Sequence, residues 1–338
     1  MGVCLRLGGK IVSDQRIATL DGLRGAAITY VLLGHFGPCW LNGAGSFGVT
    51  VFFALSGRLM ADVLFIGAMD WREFAVRRLA RLYPALLFFL ACMLALSVTL
   101  GRTNLLVDWW SYPTFTVNLV VILAGRFPSF DHLWSVSVEV QAYAMLALVA
   151  ISTSGRLRLA VLLGGALFCF ANGLWRTYIL HQNPFFVYWR PDVAVAIIFA
   201  AAFLRVALKD RYVPAWTPPI ALILANGLML ITAELWVSFT INGLLLAFVG
   251  ATLERCVTPI RQILESRPLA FLGTISYSLY IWQQLFKYAY EGGFPPAAAV
   301  ALSLIVATFG YYRIERPGKD AILSLWYRRD MPSTPDRG

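Results

Sequence analysis

Ten apolar runs succeed one another along this chain, at roughly residues 22–40, 47–67, 84–101, 135–153, 159–175, 191–208, 215–233, 236–253, 268–287 and 296–314. Each comes close to the ~20 residues that a helix needs to cross a hydrocarbon core about 30 Å thick. At that depth no backbone group can bond to water, so such runs must satisfy themselves as helices. The expectation is an all-α polytopic membrane protein of about ten transmembrane helices. Hydrophobic residues make up 59% and charged residues 14% of the 338 residues, which excludes an ordinary soluble domain.

The loops orient the bundle. With the N-terminus inside, the inner loops and tails collect 22 of the 28 Lys and Arg residues, from Arg6, Lys10, Arg16 and Arg24 through to Arg328, Arg329 and Arg337. Arg102, Arg126, Arg176, Arg190 and Lys287 fall outside, and Arg58 lies within a span. Cytoplasmic loops carry such an excess, so both termini are expected in the cytoplasm. One further apolar stretch, 113–125, opens at Pro113. Counting it as a crossing turns every later basic loop outward, so it is read as non-spanning.

The net charge of +10 is spread over short loops and not gathered in one basic domain. That pattern points to anionic lipid headgroups as partners and away from nucleic acid. The five cysteines show no paired spacing, so neither a disulfide frame nor a metal site is expected. No apolar run with a cleavage site precedes Asp21. The chain reads as a cytoplasmic tail over 1–21, a membrane domain over 22–318 and a second cytoplasmic tail over 319–338; oligomeric state is not legible.

Ionisable residues are costly within a bilayer and, when kept there, mark paths or sites. Arg24 and His35 stand eleven residues apart and share one face of the first span. The rise between them, about 16 Å, sets His35 near mid-membrane, where a neutral imidazole suits the task of general base on a hydroxyl. Arg58 is expected at a similar depth, either facing the same cavity or paired along its helix with Asp62. Between spans two and three Arg77, Arg78 and Arg81 cluster at one-turn spacing. Guanidinium groups hold phosphate with paired donors, so the cluster suits a phosphate-rich ligand such as an acyl coenzyme A; positive-inside anchoring predicts as many arginines. His132, Ser135, Glu139 and Tyr143 follow helical spacing and present one polar face from the extracytoplasmic side. Glu139 can there orient a histidine, hold a sugar, or simply bond Ser135. In the ninth span Tyr277, Tyr280 and Gln284 share a face, beside small residues suited to close helix packing.

Six segments in order carry a family resemblance: Leu20-Asp-Gly-Leu-Arg-Gly25 with Gly34-His35, Phe52-Phe-Ala-Leu-Ser-Gly57, Arg78-Leu-Ala-Arg81, His132-Leu-Trp-Ser-Val-Ser-Val-Glu139, Ser276-Tyr-Ser-Leu-Tyr-Ile-Trp282 and Glu315-Arg-Pro317. Over roughly residues 18–318 the chain resembles the membrane acyltransferase-3 family. The resemblance implies a ten-span enzyme of the bacterial cytoplasmic (inner) membrane. Such an enzyme moves an acyl group, commonly acetyl, from cytoplasmic acyl coenzyme A to a hydroxyl of an extracytoplasmic glycan or related acceptor, with no metal. The resemblance also implies that the positions of Arg24, His35, Arg78 and Arg81 are functional; with the reading of Glu139 above, His35 and Glu139 are the expected catalytic residues, and Arg24, Arg78 and Arg81 are expected to bind the donor. Arg58, His132, Ser135, Tyr143, Tyr280 and Gln284 are expected to bind the acceptor. The chain departs from the family pattern in three places. Glu139-Val-Gln-Ala-Tyr143 stands for the usual Glu-Glu-Gln-Phe-Tyr, Trp282-Gln for Trp-His, and Arg58 for an apolar residue. A rival class is a transporter of glycan or lipid intermediates, in which His35, Arg58 and Glu139 form a relay.

Overall fold

A computed structural model describes residues 18–101, 107–125, 127–231, 236 and 238–329. Arg6, Lys10, Arg16, Arg102, Arg126 and Arg337, all used above to orient the bundle, lie outside the described residues. The described residues form helices and no strand: α1 (Ala18–Phe36), α2 (Gly43–Met60), α3 (Trp71–Thr99), α4 (Val117–Ala124), α5 (Trp134–Ser152), α6 (Gly155–Leu174), α7 (Pro184–Tyr188), α8 (Pro191–Ala194), α9 (Ala196–Ala207), α10 (Thr217–Ile231), α11 (Gly243–Thr252), α12 (Thr258–Leu264), α13 (Arg267–Glu291), α14 (Pro296–Gly310) and α15 (Arg316–Arg329). A π-helical turn over Ala61–Ile66 prolongs α2, and another over Tyr311–Glu315 joins α14 to α15.

Five helical stretches are both long and apolar enough to cross a bilayer: Cys39–Ile66, Trp71–Thr99, Asp131–Ser152, Gly155–Ile179 and Pro296–Arg328. A sixth arises if Phe239–Arg255 and Thr258–Leu264, bent by 102°, count as one. The remaining expected segments are helical too, but shorter or more polar. Position explains the polarity of α1 and α13. These two helices pack along each other at the centre of the bundle, with α2 against α1 and α9 and α11 against α2. A helix enclosed by protein can carry charges and hydroxyls that lipid would not tolerate. The central pair meets backbone to backbone, since a Cβ on Gly25 would stand 2.1 Å from the Leu269 carbonyl oxygen and one on Gly273 1.8 Å from that of Asp21.

Helix α4, within the stretch read as non-spanning, has eight residues. It rises only about 12 Å, too little to cross, and Asn118 ties it to α5 by exchanging two 3.0 Å hydrogen bonds with Gln141. Asp70 caps α3, accepting from the backbone N–H groups of Arg72 and Glu73 at 2.8 and 3.3 Å. The 29 residues of α3 rise about 43 Å, so Arg77, Arg78 and Arg81 stand on its first turns and not in a loop. Residues 316–329, expected to be mostly tail, form α15 docked on α3.

Candidate functional site

Two cavities meet at a neck. The inner one lies among α1, α2, α3, α5 and α13; the outer, larger one opens beside the first turns of α3 and α15. Arg24, Arg78 and Arg81 line both. Arg24 leaves the second turn of α1 and reaches Asp21, one turn earlier, at 3.3 Å. Arg78 lies 5.6 Å from the ring centroids of both Phe74 and Tyr143, close enough for its cation to be held by the ring faces. Deeper in, the Glu139 carboxylate accepts from the hydroxyls of Ser56 and Tyr143. Ser135 therefore does not serve Glu139. Its hydroxyl lies 2.7 Å from that of Tyr280, which in turn donates to the His132 carbonyl at 2.7 Å. Ser135 and Tyr280 both line the inner cavity.

His35 stands in the last turn of α1, which runs from Ala18 to Phe36. Its Nδ1 is 2.6 Å from Oε1 of Gln283. An amide oxygen only accepts, so in the neutral ring Nδ1 carries the hydrogen and Nε2 keeps the lone pair. The Gln283 amide nitrogen donates onward to the Tyr280 carbonyl at 3.4 Å, which fixes the amide in that sense. Nε2 faces Gly45, where a Cβ would come no closer than 3.8 Å. His132 is within electrostatic reach of His35, buried between the rings of Phe89 and Tyr280. Neither nitrogen of His132 is hydrogen-bonded, nor is Oε1 of the buried Gln284.

Of the expected site residues, Arg24, Arg78, Arg81, Ser135, Glu139, Tyr143 and Tyr280 thus line one cavity. His35, His132 and Gln284 line neither cavity. Tyr143, expected on the acceptor side, stands beside Arg78 at the opposite end. Glu139 does not orient a histidine; Gln283 does. Arg58 belongs to neither group. It is fully buried (0% exposed), donating from Nε to Asp62 at 3.0 Å, from Nη1 to the Gly250 carbonyl at 3.1 Å and from Nη2 to Glu254. Arg205 completes the cluster with bonds of 2.6 Å to Asp62 and Glu254. With each guanidinium nitrogen of Arg58 bonded within the protein and the side chain fully buried, it is out of reach of an acceptor.

Three site residues were not singled out from the sequence for the roles they hold: Ser56, Tyr277 and Gln283. Tyr277 lines the inner cavity and donates to the Leu82 carbonyl at 3.0 Å, tying α13 to α3. The signal for Gln283 was its place directly after Trp282, where the family usually has histidine.

Comparison with known proteins gives a consistent picture. A protein of Staphylococcus aureus (strain COL) that bears the inferred name O-acetyltransferase is 26% identical, aligned over 92% of this chain and 59% of its own length. The O-acetyltransferase OatA of S. aureus (strain NCTC 8325) is 24% identical over 91% of this chain and 58% of its own. YrhL of Bacillus subtilis, which bears the inferred name peptidoglycan O-acetyltransferase, is 27% identical over 91% and 56%. The chain therefore spans less than three fifths of the length of these relatives. No solved structure matches. Residues 17–312, which hold His35 and the three arginines that line both cavities, Arg24, Arg78 and Arg81, match the family model described as an acyltransferase domain, and the chain belongs to this acyltransferase-3 family.

Proposed function

We propose that the protein transfers an acyl group, acetyl in the first instance, from cytoplasmic acyl coenzyme A to a hydroxyl of an extracytoplasmic glycan. In this reading it crosses a bacterial cytoplasmic membrane ten times with both termini inside. The observation that carries the reading is the convergence of Arg24, Arg78 and Arg81 on the neck between the two cavities. Guanidinium groups there suit a diphosphate, and the narrower inner cavity suits the uncharged thioester arm. The names of YrhL and OatA support an O-acetylated acceptor, and YrhL's name supports a glycan.

In the transfer, Nε2 of His35 takes the proton of the acceptor hydroxyl as its oxygen attacks the thioester carbonyl carbon. The C–O bond forms, the C–S bond breaks, and the departing thiolate recovers the proton from the imidazolium. Gln283 stabilises the transient cation through Nδ1–H. Tyr280 lines the inner cavity, and its carbonyl accepts from Gln283, the partner of His35; on this reading its hydroxyl bonds to Ser135 and the His132 carbonyl open when donor and acceptor meet. The transporter reading needs Arg58 in a relay with His35 and Glu139, and the cluster with Asp62, Glu254 and Arg205 removes it.

Purified protein with labelled acetyl coenzyme A and a peptidoglycan fragment tests the reading. His35→Ala is expected to bind donor normally and to transfer about 10²- to 10⁴-fold more slowly. Arg78→Ala with Arg81→Ala is expected to lose donor binding. Near-normal transfer by a folded His35→Ala protein refutes the role of the imidazole.

A further inference from the structure

The outer cavity has a wall that none of the six family-like segments supplies beyond Arg316: helix α15. Its rotation about its own axis is fixed by α3. Tyr327 donates to Glu73 at 2.9 Å and accepts from Nε of Arg77 at 3.0 Å. At the other end Gly318 sits against Pro84, so closely that a Cβ would stand 2.6 Å from the proline ring. Held in this way, α15 presents Arg316, Lys319 and, one turn on, Leu323 to the outer cavity. None of these three lines the inner cavity. Arg316 is exposed and makes no ion pair among the described residues. Lys319 lies within electrostatic reach of Glu315, whose carboxylate also accepts from Ser278 at 2.6 Å. The outer cavity as a whole is lined by six cationic side chains against three acidic ones, an excess suited to a polyanion.

The two sets of cations are arranged in series. Arg24, Arg78 and Arg81 stand at the neck, and Arg316 and Lys319 stand only in the outer chamber. A coenzyme A thioester also carries its anions in series. The diphosphate continues the thioester arm, and a phosphomonoester hangs from the ribose on the side away from the sulfur. If the thioester points inward and the diphosphate meets the neck, the monoester lies beyond it.

We propose that Arg316 and Lys319 of α15 form a phosphomonoester site that holds the ribose phosphate of the donor. This rests on the donor reading above. A lipid phosphate has the same chemistry, so the test has to separate the two sources.

Affinities of the full-length protein in uncharged detergent are to be measured for acetyl coenzyme A and for its 3′-dephospho analogue. The wild type is expected to prefer the intact thioester by about ten- to a hundredfold, the range of a charged hydrogen-bond pair. In the Arg316→Ala, Lys319→Ala double variant that ratio is expected to fall towards one, with affinity for the dephospho analogue unchanged. Arg313→Ala, on the adjoining turn but outside the cavity wall, is expected to keep the wild-type ratio and so serves as the control for folding and net charge. An unchanged ratio in the double variant overturns the proposal, as does equal weakening for both thioesters. So does loss of binding to vesicles of anionic lipid with the ratio intact, which assigns the pair to headgroups. Failure of the wild type to bind either thioester is a different result and sinks the donor reading itself.

Discussion

At the scale of single residues the site turns on the bond between His35 and Gln283. Because the amide oxygen accepts from Nδ1, the partner fixes both the tautomer and the ring orientation that aim the Nε2 lone pair. Gln283→Ala removes that constraint while leaving Arg24, Arg78 and Arg81 in place. The turnover number is expected to fall about ten- to a hundredfold, the worth of one hydrogen bond to a charged group, with donor affinity unchanged. Gln283→His, which restores the family's usual residue, offers a ring nitrogen to Nδ1–H and is expected to recover much of the loss. Equal loss of donor binding in Gln283→Ala places the residue in packing and not in positioning. The histidine was legible in the sequence, since an ionisable group in an apolar run is conspicuous on its own. Its partner was not, because the bond joins positions 248 residues apart; the place of Gln283 after Trp282, where the family usually has histidine, marks a departure and does not say which residue it meets.

Among elements, the junction of α2, α9 and α11 shows a charge cluster whose purpose is cohesion. Arg58 is wholly buried, whereas Asp62 and Glu254 are 23% and 28% exposed. The loss of an acidic partner is therefore harder to bear than the loss of Arg58 itself. Glu254→Ala leaves a buried guanidinium short of one carboxylate, at a cost on the order of 3 kcal/mol. Arg58→Leu leaves two part-exposed carboxylates still bonded to Arg205 and is expected to lower the melting temperature less. Neither substitution should change acetyl coenzyme A affinity by more than about twofold, since 0.4 kcal/mol or so separates such values. A large drop in Arg58→Leu returns that arginine to the site. The i,i+4 pairing of Arg58 with Asp62 was readable from spacing, but its closure by Glu254 and Arg205 depends on how three helices pack. The same limit applies to α1 and α13. Their apolar runs announced helices, while the reason they tolerate polarity, enclosure at the bundle centre, is a tertiary fact.

Across the whole molecule two polar stripes run antiparallel. From Arg24 to His35 and from Tyr143 back to His132 the interval is eleven residues in each case, a rise of about 16 Å. Arginines stand at one end, with Arg78 over Tyr143, and histidines at the other. On the function proposed above, such a layout sets a phosphate-bearing donor at the arginine end and a hydroxyl acceptor at the histidine end, and that reading requires the arginine end to face the cytoplasm. The exposed Cys39, in the turn between α1 and α2, reports on this directly; Cys92 is half-buried, and Cys169 and Cys256 are buried. With Cys4 changed to serine, intact spheroplasts exposed to a membrane-impermeant maleimide are expected to label Cys39. A cysteine placed at the exposed Arg328 of α15, in a Cys39→Ser background, is expected to react only after the membrane is opened. The reverse pattern turns Arg24, Arg78 and Arg81 towards the extracytoplasmic side, where coenzyme A is not supplied, and the direction of transfer argued here fails with it.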